Sequence, residues 1–435
     1  MPSDSLRGVP LLRERRLRRG ERWIYSAGFN VGRDLPDTSR IDAELADLDL
    51  LAAAGCRVAL LSHQGRHGDG SAEALDFAAR YLGARLGRPV RYVPGNASAG
   101  AARQARALRD GEIAVFGNTR AHAGEERNDP ALARRFARLG ELVAVGGFSK
   151  AHRAHASNAG LLDRLPAFAA GSLVSEPTLL APWAGIVPHR LSVAVVGGVK
   201  PEKTLIGLEA LTRTYDLVIP GGVVLNTVLR VLGHDIGRSA LGDRPEQCAQ
   251  VARTVLGRAN RAELYVPSEV IVAPAEGPTN GPAKGSAMGP AEEPAVGPAE
   301  GSAEGPALSA RGRMPVLGAR GRIVPIAEGV PAGHMIVDFV LELGVRARLD
   351  ALAAAGGRAL LAGTPCRYTD GFRDTADALL AAFGAPGVDA LLLGGDTTAE
   401  LPWQGPRSTG GGSALHYLAH GTCPVLDSLR RSTPR

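Results

Sequence analysis

The sequence predicts an α/β protein made of two doubly wound, Rossmann-like parallel-sheet domains joined by a hinge. First, 435 residues exceed what one ordinary hydrophobic core accommodates. Second, apolar runs of strand length alternate with segments of helical periodicity along most of the chain. Third, glycine-rich or basic strings follow several of these runs, and open α/β sheets bind ligands at the carboxyl ends of their strands.

The first alternating series runs from residue 41 to about residue 168. Ile41, Leu45, Leu48 and Leu51 recur at helical spacing and predict a helix over 41–54, and the apolar run 57–61 predicts a buried strand. The same reasoning gives helices at 72–86, 98–108 and 131–139, and strands at 90–93, 112–116 and 142–145. Strands separated by helices of this length imply a parallel sheet covered on both faces.

A second series predicts a second domain of the same type. Its strands lie at 192–196, 216–220, 358–362 and 390–393, and its helices at 205–214, 223–232 and 371–383. Residues 274–313 interrupt this domain with recurring Glu-Gly-Pro, Gly-Pro-Ala and Gly-Ser-Ala units. Such a segment buries too little apolar surface to offset its ordering entropy, so we expect a disordered surface loop.

Composition limits the partners and the compartment. The net charge of +6 is spread along the chain without aromatic interleaving, which disfavours nucleic acid and suits an anionic small molecule. The four cysteines show no CxxC spacing and predict free thiols in a reducing cytoplasm. No apolar h-region or membrane-length run occurs, so we expect a cytoplasmic monomer without a membrane partner.

Six short strings place basic side chains or glycines where a phosphorylated acid and a nucleotide need them. They are Ser62-His63-Gln64-Gly65-Arg66, Gly117-Asn118-Thr119-Arg120, Ala151-His152-Arg153-Ala154-His155-Ala156-Ser157, Gly197-Gly198-Val199-Lys200, Gly394-Gly395-Asp396-Thr397 and Ser408-Thr409-Gly410-Gly411-Gly412. In this order and at this spacing, from about residue 23 to about residue 426, they closely resemble the phosphoglycerate kinase family. That resemblance implies transfer of a phosphoryl group between ATP and the carboxylate of 3-phosphoglycerate.

The resemblance also implies a domain order. It places the acid in an N-terminal domain, 1–178, and the nucleotide in a C-terminal domain, 191–415. A hinge occupies 179–190, and residues 416–435 return towards the first domain.

The resemblance implies a basic patch for the acid in the N-terminal domain. Arginine suits this task because its fork binds a phosphate bidentately and stays protonated. Arg40 matches the arginine that the family places against the transferring group, which makes it a candidate catalytic residue. His152 and His155 are interpreted as packing or hydrogen-bonding residues, since transfer to an ionised carboxylate needs no general base. The candidate acid-binding residues are Gly28, Phe29, Asn30, Arg40, His63, Gln64, Gly65, Arg66, Arg120 and Arg153.

On the nucleotide side, glycine turns let backbone amides approach phosphates, and a following helix adds its positive end. The resemblance implies ATP or ADP with Mg²⁺ as cofactors, Asp396 as the metal-site carboxylate and Asp370 at the ribose. Lys203 and Gly411 join Arg40 as candidate catalytic residues. The candidate nucleotide-binding residues are Lys200, Lys203, Asp370, Gly394, Gly395, Asp396, Thr397, Gly410, Gly411 and Gly412.

The chain departs from the family pattern at several candidate positions. Family members read Arg-x-Asp-Phe-Asn where this chain has 26–30, and Asn-Asp-Ala-Phe-Gly where it has 145–149, so one basic residue and two carboxylates are expected to be missing. Arg367 replaces a glycine, and His416 replaces a glutamate. The spacing from Lys200 to Lys203 is one residue short. The default substrate is 3-phosphoglycerate, and these changes raise a related acid in a specialised pathway as the other candidate.

Two alternatives remain open. The protein could be a carboxylate-amine ligase that makes the acyl phosphate and lets an amine capture it. It could instead be a non-catalytic nucleotide-binding paralogue that keeps the fold without turnover.

Overall fold

Six parallel strands form the sheet of the N-terminal half. The computed structural model describes residues 6–275 and 321–432. The strands are β1 Arg22–Ser26, β2 Arg57–Leu61, β3 Val90–Val93, β4 Ile113–Phe116, β5 Leu142–Val145 and β6 Ala167–Ala169, in the order β3-β4-β2-β1-β5-β6. The helices are α1 Ser39–Asp42, α2 Leu45–Ala53, α3 Asp76–Leu86, α4 Ala99–Arg106, α5 Pro130–Phe136, α6 Ala159–Leu162 and α7 Gly171–Leu180.

The C-terminal half contains a second six-stranded parallel sheet and a small antiparallel one. The strands are β7 Ser192–Val196, β8 Leu217–Pro220, β9 Glu263–Leu264, β10 Glu269–Pro274, β11 Arg322–Pro325, β12 His334–Phe339, β13 Gly357–Ala362, β14 Val388–Leu393 and β15 Arg407–Ser408. The parallel sheet has the order β15-β14-β13-β7-β8-β9, and the antiparallel sheet has the order β11-β10-β12. The helices are α8 Glu209–Thr214, α9 Gly222–Val231, α10 Pro245–Leu256, α11 Leu343–Ala355, α12 Asp374–Phe383, α13 Gly395–Glu400, α14 Gly411–His420 and α15 Pro424–Arg431, and a π-helix, Lys203–Leu208, precedes α8.

The two parallel sheets confirm the predicted fold class. The sequence analysis missed β1, which is a central strand between β2 and β5 and carries Trp23, Ile24 and Tyr25 fully buried. The predicted helix over 41–54 is two helices, α1 and α2. Glu44 lies between them and turns its carboxylate inward to accept a 2.5 Å hydrogen bond from the Tyr25 hydroxyl.

The antiparallel sheet was also missed, and it shows where the Gly/Pro/Ala-rich insert joins the fold. Strands β10 and β11 pair with Val272 opposite Arg322. The chain therefore leaves and re-enters the described structure at neighbouring strand ends. Apart from Pro274 and Ala275, the predicted disordered loop 274–313 lies outside the described residues.

The segment that links the two halves is attached to the C-terminal half. Arg358 on β13 is buried, stacks 4.2 Å from the Tyr215 ring centroid, and donates to the carbonyls of Ala184 and Gly185 at 3.3 and 2.9 Å. Helix α15 packs against α6 and β6 of the N-terminal half. Among the described helices, none combines the length and the apolar character that a membrane span requires.

Candidate functional site

The predicted acid-binding residues 28–30 and 63–66 lie in the loops that follow β1 and β2. The backbone N–H of Phe29 donates to Ser62 Oγ at 3.0 Å, and that of Asn30 donates to the His63 carbonyl at 2.9 Å. Asn30 Oδ1 accepts from the Gly65 N–H at 3.3 Å. These bonds hold the two loops side by side at the carboxyl edge of the sheet. Phe29 is fully buried, and its backbone N–H is already bonded to Ser62, so this residue fixes the loop from within.

Basic side chains converge on these loops. Arg40 Nη1 lies 3.5 Å from the Asn30 carbonyl, and Arg120 is only 3 % exposed and pairs with Glu126. Burial lowers the pKa of His63 well below its usual value, and the nearby cations, Arg120 and Arg40 among them, lower it further. Burial, and then the charge of Arg120, also lowers the pKa of the Arg153 guanidinium. This mutual repulsion is relieved by an anion, which is the ligand such a patch selects.

The loop after β2 continues the acid side. The Gln64 N–H donates to Asn118 Oδ1 at 3.3 Å, and the Arg66 N–H donates to Ser71 Oγ at 3.0 Å. The positive charge of Arg66 also lowers the pKa of the Arg153 guanidinium, so the two side chains repel each other. The structure therefore places the predicted acid-binding residues around one edge of the N-terminal sheet.

His152 joins the two halves of the protein. Arg153 Nε donates to His152 Nε2 at 2.9 Å, so the neutral imidazole carries its proton on Nδ1 and donates to Ser413 Oγ at 2.5 Å. Burial lowers the His152 pKa to about 4, with the adjacent Arg153 acting in the same direction. His152 is therefore neutral at physiological pH and holds the Arg153 guanidinium in place.

A cavity of about 480 Å³ lies at the carboxyl edge of the C-terminal sheet. Five of the predicted nucleotide-binding residues line it: Lys200, Lys203, Asp370, Asp396 and Thr397. It is also lined by Gly198, from the string 197–200 named above. Asn226, Asp338, Thr364 and Glu400 line it too, and none of these four was proposed from the sequence.

Two lysines and one carboxylate make up the charged part of this cavity. Lys203 is buried and its Nζ donates to the Leu393 carbonyl at 3.3 Å, while Lys200 forms a 2.6 Å ion pair with the exposed Asp396. Burial lowers the Lys203 pKa to about 8, with the neighbouring Lys200 acting in the same direction. Both lysines line the cavity, so the short spacing between them displaces neither one from it.

Asp396 is suited to a divalent cation held mainly by phosphates. No cluster of three or more metal-ligand side chains occurs within residues 6–275 and 321–432. Mg²⁺ does not require one, because it commonly binds through one or two carboxylates together with substrate phosphates and water. Asp396 is such a carboxylate. It would be available to Mg²⁺ when Lys200, its present partner, binds a phosphate instead.

The glycine string before α14 faces both halves. Gly411 has φ +54°, which favours glycine, and no atom lies within 4 Å of the position where a side chain would start. A Cβ on Gly410 would lie 3.1 Å from the Phe148 ring, and one on Gly412 would lie 3.3 Å from His152 Nε2. The N-terminus of α14 is thus packed directly against the turn Phe148–Lys150 of the N-terminal half. Glycines also begin α13: Gly394 precedes the helix, Gly395 is its first residue, and Thr397 lies in its first turn.

Arg367, which replaces a glycine of the family pattern, lies on the rim of this cavity. Its guanidinium pairs with Asp370, the carboxylate expected at the ribose, and its Nη1 lies 2.7 Å from Met335 Sδ. A ribose hydroxyl would therefore meet an Arg–Asp pair in place of a lone carboxylate.

Two buried charged residues that were not singled out from the sequence, Lys150 and Glu44, lie beside the positions where the chain departs from the family pattern. Lys150 Nζ lies 2.6 Å from Ser26 Oγ, so a cation lies next to the residue that replaces the family arginine. A Cβ on Gly146 would lie 2.1 Å from Glu44 Oε2, so a carboxylate likewise fills the space beside Gly146. Both charges come from other parts of the chain, which a motif comparison does not reveal. Gly28, in contrast, has no nearby carboxylate that takes the place of the family aspartate in the contacts described above.

The chain is similar to known proteins over most of its length. The family model described as phosphoglycerate kinase matches residues 19–293. The phosphoglycerate kinase of one Thermus thermophilus strain is 30% identical over 433 residues, covering 94% of this chain and 97% of its own. That of Zymomonas mobilis is 35% identical over 262 residues, 59% of this chain and 65% of its own, so this match spans just under two thirds of that relative. The solved structure of phosphoglycerate kinase from Coxiella burnetii superposes with a TM-score of 0.68 at 24% identity, over 98% of this chain and 100% of the other.

Proposed function

The chain belongs to the phosphoglycerate kinase family, and from that premise we propose that it is a kinase transferring a phosphoryl group between ATP and the carboxylate of 3-phosphoglycerate. The observation that carries the proposal is the pairing of two sites. A cluster of cations that repel one another lies on the N-terminal half, and a lysine-lined cavity lies on the C-terminal half. The α14 N-terminus and the turn Phe148–Lys150 pack together between the halves.

On the acid side, the arginines hold the anion and neutralise it. We propose that Arg120, Arg153 and Arg66 bind the phosphate, because a guanidinium offers paired donors to phosphate oxygens. Arg40, beside the Asn30 carbonyl, faces the transferring group and stabilises the charge that spreads over its oxygens during transfer. A carboxylate oxygen is already ionised at neutral pH, so it attacks the phosphorus without a general base.

On the nucleotide side, Lys203 and Lys200 act on the phosphates, and the backbone amides of Gly411 and Gly412 at the start of α14 would cradle them. Asp396 would hold Mg²⁺, which supplies neutralisation of the bridging phosphate oxygens when bound. Asp370 and Arg367 would contact the ribose. The free, buried state of the four cysteines supports a reducing, cytoplasmic compartment.

Transfer requires the two anions to meet, and the contacts between the halves suggest how that is arranged. His152 fixes Arg153 on one side and reaches Ser413 of α14 on the other. A shift of α14 on nucleotide binding would therefore reposition an acid-binding arginine. We propose that domain closure acts through this contact.

Steady-state assays of ADP formation from Mg-ATP test the proposal. The expected result is saturable, acid-dependent ADP release with 3-phosphoglycerate, at a higher kcat/KM than with unphosphorylated glycerate or with 2-phosphoglycerate. Isothermal titration calorimetry with Mg-ADP serves as the control for an intact nucleotide cavity. Nucleotide binding without turnover of any of these acids would contradict the proposal and favour the non-catalytic alternative.

A further inference from the structure

Lys150 is a buried cation directly beneath the acid-binding loop. It ends the turn Phe148–Lys150, it is only 5 % exposed, and its Nζ donates to Ser26 Oγ at 2.6 Å and to the Ala27 carbonyl at 2.8 Å. Ser26 in turn donates to the Ser157 carbonyl at 2.7 Å. One ammonium group therefore fixes the backbone that leads into Gly28, Phe29 and Asn30.

The loop and the turn also meet backbone to backbone. A Cβ on Gly147, which has φ +69°, would lie 2.6 Å from the Gly28 nitrogen, and a Cβ on Gly28 would lie 3.2 Å from Gly147 Cα. No side chain fits between the two segments. The conformation of the loop therefore depends on where the turn lies, and Lys150 is the side chain of the turn that binds the loop.

Two carboxylates stabilise the ammonium. Burial lowers the pKa of Lys150 to about 8, and the charges of Glu44 and Glu125 act in the opposite direction and favour the ammonium form. Glu44 is held by Tyr25 and Ser172, and Glu125 by Ser157. The other titratable groups that sense Lys150 are His63 and His155, whose pKa values burial and nearby cations lower, so both are neutral at physiological pH.

The opposite side of the same turn contacts the nucleotide half. The Phe148 ring packs edge-on against Tyr417 at 6.4 Å and lies against Gly410. The turn thus has the acid loop on one side and the N-terminus of α14 on the other.

Resting on the proposed function, we infer that Lys150 is a positioning residue of the acid site, holding the loop 27–30 against the turn Phe148–Lys150 in the conformation that binds an anionic acid. A cation at this depth also adds positive potential beneath the anion. The residue acts through the loop, since its Nζ is directed at Ser26 and Ala27 and not at open space.

The test is the affinity for 3-phosphoglycerate without nucleotide, measured by calorimetry on the full chain. We expect Lys150→Met to weaken this affinity about tenfold or more, because it removes charged hydrogen bonds and leaves two carboxylates without their cation. The affinity for Mg-ADP should stay within about twofold of that of the wild type, because Lys150 does not line the nucleotide cavity. Arg358→Met is the matched control: it also removes a buried cation, but Arg358 contacts the carbonyls of Ala184, Gly185 and Thr214 and the Tyr215 ring, all outside the acid site.

A pH series with Lys150→Arg separates positioning from simple structural support. In the wild type, Lys150 is charged below about pH 8 and loses its proton as pH rises through that value, so acid affinity should fall between about pH 7 and 9. An arginine stays charged throughout. Lys150→Arg should therefore bind the acid more tightly than Lys150→Met and lose the alkaline decline. If Lys150→Met does not fold, the alkaline decline in acid affinity, compared between the wild type and Lys150→Arg, still tests the role of Lys150.

The outcomes are distinct. Unchanged acid affinity in Lys150→Met, or the same alkaline midpoint in Lys150→Arg, would overturn the role of Lys150 while leaving the proposed function in place. A wild type that binds Mg-ADP but not 3-phosphoglycerate would overturn the proposed function, and this inference with it.

Discussion

Replacing Ser26 by the arginine of the family pattern should damage this protein instead of restoring a site. Ser26 is fully buried, and its hydroxyl lies within hydrogen-bonding distance of both Lys150 Nζ and the Ser157 carbonyl. Ser26→Arg removes both bonds, one of them to a charged group, and forces a guanidinium into filled space beside an ammonium.

The magnitude follows from these three effects. A neutral hydrogen bond contributes about 0.5–1.5 kcal/mol, a charged one about 1.5–3 kcal/mol, and overpacking costs about 1–3 kcal/mol. The expected loss is therefore about 3–7.5 kcal/mol in the free energy of unfolding. Adding Lys150→Ala provides space and removes the like charge, so the double variant should recover a large part of that loss.

Urea unfolding of the wild type, both single variants and the double variant gives the coupling energy directly. Thr254→Arg, on an exposed face of α10 in the other half, controls for adding an arginine as such. Wild-type stability in Ser26→Arg, or strictly additive effects in the double variant, would refute the claim that Ser26 and Lys150 share one filled, buried site.

The site and the insert lead to three further predictions. Arg40→Ala should lower kcat by about 10²-fold while leaving Mg-ADP affinity unchanged, as expected for an interaction made mainly in the transition state; an unchanged kcat would exclude that role. Replacing residues 276–320 by a turn of about six residues should leave the melting temperature and kcat nearly unchanged, because β10 and β11 already pair at the junction; loss of cooperative unfolding would show that the segment is structural. The His152 imidazole should remain neutral down to about pH 4. The stability that it contributes is therefore present above pH 6.5 and is lost as pH falls towards 4. NMR titration of the imidazole checks this, and a midpoint near 6.5 would contradict it.

Much of the fold was predictable because buried parallel strands are short apolar runs. The run at 57–61 matches β2 to the residue, and the run at 192–196 matches β7. Strand β1 was missed because Arg22 and Ser26 enclose only three apolar residues. The antiparallel sheet was missed because its partners β10 and β11 are separated in sequence by the insert.

The candidate site was predictable only where its residues lie in local strings. Lys200 and Asp396 were proposed from separate motifs, and the structure joins them as an ion pair. Lys150 and Ser26 are 124 residues apart, and no local pattern links them. A comparison of local strings therefore shows the serine in place of an arginine, but not the lysine that lies against it in the folded chain.

The most direct test of the proposed reaction is ³¹P NMR of the protein with Mg-ATP and 3-phosphoglycerate. We expect ADP and an acyl phosphate resonance to appear together, in equal amounts, and neither to appear without the acid. Adding ammonia or a primary amine should leave this product ratio unchanged during the initial phase. Appearance of ADP with inorganic phosphate and an amide would identify a carboxylate-amine ligase, and would contradict direct phosphoryl transfer as the function of this chain.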